Sequence, residues 1–246
     1  VITKNKGGLW TDGRYFVQAP QELEGSGIDL FKEGMEGTPH YIDWINSEIP
    51  ENGLVAVNAI ATSHANWELL SEKLAAKGNK LVDLPLLKEI WTNRNANTKK
   101  NPIFVQPVER AGKSVSEKLS DIRNKMEELE TSVHVISSLD DVAWTLNLRG
   151  SDVQSNPVFL GYILLTKNEA KLYVDLEKLD VDSRKQLDDS GVKMLPYENF
   201  FTDLKNISSE KILVSPNSNQ SIFEALKENN TFIKAAVPGN LMKAIK

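Results

Sequence analysis

Residues 133–166 read VHVISSLDDVAWTLNLRGSDVQSNPVFLGYILLT, and this stretch decides the fold class. Residues 133–137 have the composition of a strand, and Ser138 is placed to cap a helix over residues 139–147. The stretch ends in an apolar run at residues 158–166. Because a membrane-spanning helix needs about 20 apolar residues, this shorter run is predicted to be a buried strand.

Helix and hairpin signals flank this stretch on both sides. Upstream, Ser114 and Glu117 form a capping box. Apolar residues then follow at spacings of four and three, which predicts a helix with one buried face: Val115, Leu119, Ile122, Met126 and Leu129. Downstream, a second strand at residues 171–175 is predicted to form a hairpin with the first through Asn168.

Strand and helix patterns alternate along the rest of the chain. Predicted strands lie at residues 8–12, 28–32, 54–57, 80–84, 192–195 and 212–215. Predicted helices lie at residues 15–23, from Thr38-Pro39 onward, and at 64–76, 86–91, 181–188, 200–207 and 220–227. This alternation indicates an α/β fold whose sheets are covered by helices on both faces, and the pattern occurs twice.

A segment rich in Asn and charged residues separates the two halves at residues 92–102. Such a composition is typical of a linker. We therefore predict one domain at residues 1–108 and a second at residues 109–238. Residues 239–246 begin another helix and are expected to start a connection to a further domain.

Composition excludes several classes of chemistry. The 246 residues include no cysteine, which rules out disulfides, thiolate metal sites and cysteine nucleophiles. With 29 Lys and Arg against 34 Asp and Glu, the net charge of −5 argues against a broad nucleic-acid surface. The first residues contain no apolar signal-peptide region, and the expected location is the cytoplasm.

Few residues have the spacing that catalysis or metal binding requires. His40, His64 and His134 do not pair at helical spacing, so structural roles are expected for all three. The Asp pairs at residues 140–141 and 188–189 are adjacent on predicted helices, where neighbouring side chains diverge by about 100°. We expect no catalytic residue and no metal ligand in this sequence.

Two arginines are the candidate binding residues. Arg14 follows the Asp12-Gly13 turn at the end of a predicted strand, where α/β folds place their sites. Its guanidinium can bind a carboxylate or a carbonyl, although a salt bridge to Asp12 is the alternative.

Arg149 lies in a loop with Asp152 and Asn156, between a helix and the buried strand. Gly150 is expected to allow a left-handed turn there. Loops on a rigid sheet often carry binding sites. The alternative is a packing loop with an Arg149–Asp152 pair.

The motifs around both arginines resemble those of Xaa-Pro aminopeptidases (aminopeptidase P) of the three-domain type. The resemblance rests mainly on LWTDGRYFVQA at residues 9–19 and on LDDVAWTLNLRGSDV through NPVF at residues 139–159. Weaker support comes from Gly34, Thr38-Pro39, Trp44, LVD at residues 81–83, IWTNR at residues 90–94 and LMKAIK at residues 241–246.

The resemblance implies two creatinase/prolidase N-terminal-like domains, each a mixed, mostly parallel sheet. It also implies a third, pita-bread catalytic domain, which carries two Asp, one His and two Glu around two divalent ions, usually manganese. None of those ligands matches this sequence, and the family's upstream strand is not present before Val1. The chain is therefore expected to be an inactive fragment of an enzyme that removes the residue preceding a proline in second position.

Arg14 matches the family's substrate-end arginine, and Arg149 is assigned a substrate-cleft or interdomain role. A homodimer is expected, with neither a nucleic-acid nor a membrane partner. Two local departures from the family are Pro20, expected to kink or end its helix, and Asp29-Leu-Phe31 in place of a Trp-containing strand. The alternatives are a non-catalytic protein-binding module with an aminopeptidase-like fold, and a prolidase or creatinase relative.

Overall fold

The computed structural model describes residues 1–86, 90–92 and 101–235. The predicted helix at 86–91 and the linker at 92–102 fall largely outside these residues, and the segment from Pro238 falls wholly outside them. Within the described part of the chain, no helix is long and apolar enough to cross a membrane.

The chain divides into two compact units, each described here by itself. Unit 1 is formed by Val1–Asn58 with Asn66–Leu87, and unit 2 by Ala59–Ala65 with Lys88–Lys246. The domain limits at residues 108 and 238 stay predictions.

Unit 1 contains two separate two-stranded parallel sheets, β1–β2 and β3–β4. Its elements are β1 (Gly7–Thr11), α1 (Gln18–Glu22), β2 (Ile28–Lys32), α2 (Tyr41–Glu48), β3 (Leu54–Val57), α3 (His64–Ala75, whose first two residues belong to unit 2) and β4 (Lys80–Asp83). The core is aromatic near β1, where the rings of Trp10 and Phe31 stack at 4.2 Å. Ile42 and Ile45 of α2 and Leu74 of α3 complete this core.

The first helix of unit 1 differs from the prediction of one helix over residues 15–23. A 3-10 turn at Gly13–Tyr15 is followed by the separate helix α1. Pro20 lies in the first turn of α1 and does not end it. A continuous helix from Tyr15 would need an N–H at residue 20, whereas a first-turn residue needs none.

Helix α2 also begins later than predicted. Its N-cap is His40, whose Nδ1 accepts a hydrogen bond from the Ile42 N–H at 3.4 Å. Thr38 and Pro39 lie before the helix, and the Pro39 carbonyl accepts a hydrogen bond from the Trp10 indole at 2.9 Å. The predicted helix start at Thr38-Pro39 was therefore wrong, because the helix begins at Tyr41 and Pro39 contacts a distant strand.

Unit 2 is built on a six-stranded sheet in the order β10-β9-β8-β6-β11-β12. Three strand pairs are parallel, and β8 is antiparallel to both of its neighbours. The elements are β5 (Phe104–Val105), α4 (Val108–Ala111), α5 (Val115–Glu128), β6 (Val133–Ile136), α6 (Leu139–Thr145), β7 (Leu148–Arg149), β8 (Gly161–Thr166), β9 (Ala170–Val174), α7 (Val181–Asp189), β10 (Val192–Pro196), α8 (Phe200–Lys205), β11 (Lys211–Val214), α9 (Gln220–Leu226) and β12 (Thr231–Lys234).

Helices cover both faces of this sheet. Helices α5, α6 and α7 contribute to one buried cluster, which includes Leu119, Val142 and Leu187. Helices α8 and α9 contribute to a second cluster, which includes Phe200 and Phe223. The predicted α/β class, with a mostly parallel mixed sheet covered on both sides, is confirmed.

Candidate functional site

Arg14 lies directly after β1, on the 3-10 turn that Asp12 caps. The Asp12 carboxylate accepts hydrogen bonds from Arg14 Nε at 2.9 Å and Nη2 at 2.7 Å, and from the Arg14 backbone N–H at 3.0 Å. The side chain of Arg14 is 79% exposed. These hydrogen bonds lower the pKa of Asp12 to about 2 and raise the pKa of Arg14. The structure therefore contains the salt bridge that was the alternative interpretation of Arg14.

Arg149 lies on β7, which pairs antiparallel with β5. Its Nη1 donates hydrogen bonds to the carbonyls of Ala143 at 2.9 Å and Leu148 at 2.8 Å. Burial lowers the pKa of Arg149, and the nearby charge of Asp140 partly opposes this effect. The guanidinium is thus fixed at the end of α6 by backbone carbonyls.

Asp152 does not pair with Arg149, so the expected Arg149–Asp152 pair was wrong. One carboxylate oxygen of Asp152 accepts a hydrogen bond from the Lys178 ammonium, and the other accepts one from the Leu160 backbone N–H at 2.8 Å. The side chains of Asp152 and Lys178 are only 6% and 5% exposed. Lys178 lies in the turn after β9, and local spacing could not reveal that it reaches this loop.

Gly150 is required for close packing and not for a left-handed turn. A Cβ atom at this position would lie 2.8 Å from the Phe159 side chain and 3.2 Å from the Val158 carbonyl. The left-handed residues of this segment are Asn147 and Ser155, with φ of 50° and 61°. The loop is consequently held tightly against the start of the buried strand.

Lys118 is a site residue that sequence reasoning missed. Its side chain is buried within unit 2, and Nζ donates to the Trp144 carbonyl at 2.9 Å and to Asn147 Oδ1 at 2.6 Å. The ammonium also lies 4.3 Å from the centre of the Trp144 ring. Lys118 is three residues after Val115 and four before Ile122, so its position on the apolar face of α5 was the available signal.

Lys118, Trp144 and Arg149 line one cavity of about 820 Å³ within unit 2, which we call the α5–α6 cavity. Its remaining walls are Gln106, Glu109, Arg110, Ala111, Gly112, Lys113, Asp121, Asp140, Ala143, Asn156, Pro157 and Val158. Burial, together with the positive charge of Arg149, lowers the pKa of Lys118 to about 8. The cavity therefore places the cations Lys118 and Arg149 beside an indole ring.

The histidines have the structural positions that were expected. His40 caps α2, and the ring of His64 stacks on Phe223 at 3.6 Å. His134 is fully buried, and its Nδ1–H donates to the Leu213 carbonyl at 2.9 Å. Burial lowers the pKa of His134 to about 4.

Within residues 1–86, 90–92 and 101–235, no group of three or more His, Asp or Glu side chains is placed to hold a metal ion. The described side chains therefore do not fit the two-ion site that the family resemblance implies for a catalytic domain. No metal-dependent step is assigned to them.

Comparison with known proteins shows that this α/β fold is of the creatinase/prolidase N-terminal type. Residues 93–246 match the family described as the creatinase/prolidase N-terminal domain. The chain belongs to this family, which confirms the resemblance inferred from the motifs.

The similar curated proteins are longer aminopeptidases. "Probable Xaa-Pro aminopeptidase P" of Arthroderma gypseum is 38% identical over all of this chain, and aminopeptidase P2 of Arabidopsis thaliana is 34% identical over 89% of it. The chain spans 40% of the first protein and 31% of the second.

A solved structure agrees with these relatives. The X-prolyl aminopeptidase of Caenorhabditis elegans, described as a cytosolic enzyme with a di-nuclear active site, matches 96% of this chain. The TM-score is 0.88 at 29% identity, and the match covers 40% of that protein.

Proposed function

We propose that this chain is the non-catalytic N-terminal part of a metal-dependent Xaa-Pro aminopeptidase. The whole protein would hydrolyse the bond after the N-terminal residue of peptides with proline in second position. The observation that carries the proposal is the similarity to named Xaa-Pro aminopeptidases over the full chain. The cytosolic, di-nuclear enzyme of Caenorhabditis elegans supports a cytosolic location and a metal pair in the remaining part of the protein.

In this proposal the chain contributes domain packing, part of a homodimer contact and one wall of the substrate cleft. Arg14 and Arg149 are the substrate-binding residues, and two manganese ions are held by residues outside this sequence. Asp12 already accepts hydrogen bonds from Nε and Nη2 of Arg14. Arg14 can therefore bind substrate only if the substrate displaces Asp12 or accepts a hydrogen bond from Nη1. Arg149 already has a fixed position, since two backbone carbonyls hold its Nη1.

The test uses a longer protein that contains this sequence followed by its catalytic domain. We expect manganese-dependent cleavage of Ala-Pro-Ala, far slower cleavage of Ala-Ala-Ala, and loss of both with a chelator. Cleavage of the dipeptide Ala-Pro in preference to Ala-Pro-Ala would identify a prolidase instead. No hydrolysis of any of these peptides would overturn the enzymatic proposal.

Substitutions of the two arginines test their assigned role in the same protein. We expect Arg14→Gln and Arg149→Gln each to raise KM for Ala-Pro-Ala by about 10-fold, the effect of one charged hydrogen bond worth roughly 1.4 kcal/mol. Arg123→Gln is the matched control, because Arg123 also donates to a backbone carbonyl, that of Thr166. An unchanged KM in both arginine variants would contradict the substrate-binding assignment.

A further inference from the structure

Two cations of the α5–α6 cavity form no direct ion pair with a described carboxylate. Within the part of the chain that the structure describes, neither Lys118 nor Arg149 has a carboxylate at ion-pair distance. The Lys118 side chain is buried, and Arg149 is partly buried. A buried cation without a counter-charge is unfavourable, so this cavity favours the entry of an anion.

The hydrogen-bond donors of the two cations are used differently. Lys118 already donates to the Trp144 carbonyl and to Asn147. Arg149 uses only Nη1, and among the described residues its Nε and Nη2 have no acceptor. Those two nitrogens form the planar edge that binds both oxygens of a carboxylate. Arg149 would therefore contact the anion directly, while Lys118 supplies positive charge behind it.

The balance of charge favours an anion with a single negative charge. Asp140 also lines the cavity and interacts with Arg149. Asp121 forms an ion pair with Lys113 at 2.6 Å, and Glu109 and Arg110 add one lining charge of each sign. Lys118, Arg149 and Asp140 thus leave one net positive charge, which suits a carboxylate better than a phosphate dianion.

The cavity also has the size and the apolar surface for a short peptide end. Its volume of about 820 Å³ lies within the usual range for small-molecule sites, roughly 300–1,000 Å³. Trp144, Pro157 and Val158 provide apolar walls beside the two cations. A side chain next to a bound carboxylate would pack against these walls.

We propose that the α5–α6 cavity binds the C-terminal carboxylate of a peptide, with Arg149 Nε and Nη2 donating to its two oxygens. Lys118 stabilises the bound charge without contacting it. The choice of a peptide as the carrier of the carboxylate rests on the proposed function, whereas the carboxylate itself follows from the cavity.

Calorimetric titration of the 246-residue chain tests this site. Ala-Pro-Ala is compared with its C-terminal amide, and we expect the free acid to bind at least 10-fold more tightly. Ala-Ala-Ala and acetate are titrated in parallel. Equal binding of Ala-Pro-Ala and Ala-Ala-Ala would support the carboxylate site. It would give no support to the proline preference in the proposed function.

Variants assign the effect to Arg149. Arg149→Gln is expected to abolish the preference for the acid, and Arg149→Lys, which keeps the charge but loses the planar edge, to reduce it several-fold. Arg123→Gln is expected to retain the full preference. Any of three results would overturn the proposal. The unchanged chain could bind acid and amide equally, it could bind neither up to millimolar concentration, or both Arg149 variants could keep the full preference for the acid. Acetate binding as tightly as the tripeptides would overturn the peptide part alone.

Discussion

Unit 1 and unit 2 contain the same kind of parallel strand pairs, but only unit 2 joins its pairs into one sheet. In unit 2, the pairs β9–β10 and β11–β12 are connected through β8 and β6. In unit 1, the pairs β1–β2 and β3–β4 remain two separate sheets. The helices between strands also correspond, since α2 and α3 share one core cluster just as α8 and α9 do.

This difference in pairing changes how deeply similar strands are buried. Leu213 of β11 is completely buried, whereas Leu54 of β3, the first strand of the corresponding pair, is 67% exposed. The ion pairs of the two units also differ in burial. Asp152–Lys178 in unit 2 is buried, whereas Asp12–Arg14 in unit 1 is exposed. Strands of similar apolar composition therefore differ in burial between the two units.

Breaking the ion pairs is expected to give the largest difference between the two units in free energy of unfolding. Asp152→Asn removes the charge that neutralises buried Lys178, and we expect it to lower the free energy of unfolding of unit 2 by about 3–5 kcal/mol. Asp12→Asn breaks an exposed pair and is expected to leave the stability of unit 1 unchanged within error. Urea-dependent hydrogen exchange of peptides from each unit measures both effects. Equal losses in the two units would contradict the contrast.

Shortening one leucine in each unit tests the same difference in burial without changing a charge. We expect Leu213→Ala to cost about 2–5 kcal/mol of unfolding free energy, because it leaves a cavity in a closed core. Leu54→Ala should change stability by less than about 0.5 kcal/mol, since the side chain is already largely exposed. The measurement is urea unfolding followed by hydrogen exchange. A large loss for Leu54→Ala would mean that β3 is covered in solution.

The buried His134 predicts a pH dependence for unit 2. Because burial lowers its pKa to about 4, the unfolded chain binds a proton that the folded chain does not. Stability is therefore highest above pH 6.5 and falls as the pH decreases towards 4, by about 3 kcal/mol in total. His134→Gln should flatten this part of the stability profile, as measured by urea unfolding between pH 4 and 7. An unchanged slope would contradict the role of His134.

The smallest expected effect concerns Asp12 in unit 1. Hydrogen bonds from Arg14 lower its pKa from 3.8 to about 2. The contribution of the Asp12–Arg14 pair to the stability of the folded chain is thus complete above pH 3.8 and is lost as the pH falls through about 2. Carboxyl-carbon NMR should give a pKa near 2 for Asp12 in the unchanged chain. In Arg14→Gln the pKa should rise towards 3.8 without reaching it, because the backbone N–H of residue 14 still donates to the carboxylate. A pKa near 4 in both would place Arg14 away from Asp12.

Local sequence signals predicted the elements whose formation depends on local contacts. The capping box of Ser114 and Glu117, the hairpin around Asn168 and the bounds of β2 and β3 are all confirmed. Each depends on hydrogen bonds or side-chain periodicity within a few residues. The strand β12, Thr231–Lys234, was missed. It pairs with β11, about 20 residues away in sequence, and its short apolar centre was not recognised as a strand.

The site could be predicted only in part, for the same reason. Both arginines were proposed as binding residues because their motifs are continuous in sequence, and this assignment stays a prediction. The partner of Asp152 and the buried position of Lys118 depend on residues 26 to 29 positions away. Such contacts are set by tertiary packing, which the spacing of neighbouring residues does not encode.

We propose that catalysis belongs to polypeptide outside these 246 residues. The most direct test of this proposal incubates the purified chain with Ala-Pro-Ala and manganese and follows release of free alanine. We predict no release above the rate without protein. Turnover that requires the chain and stops when a chelator is added would contradict the account.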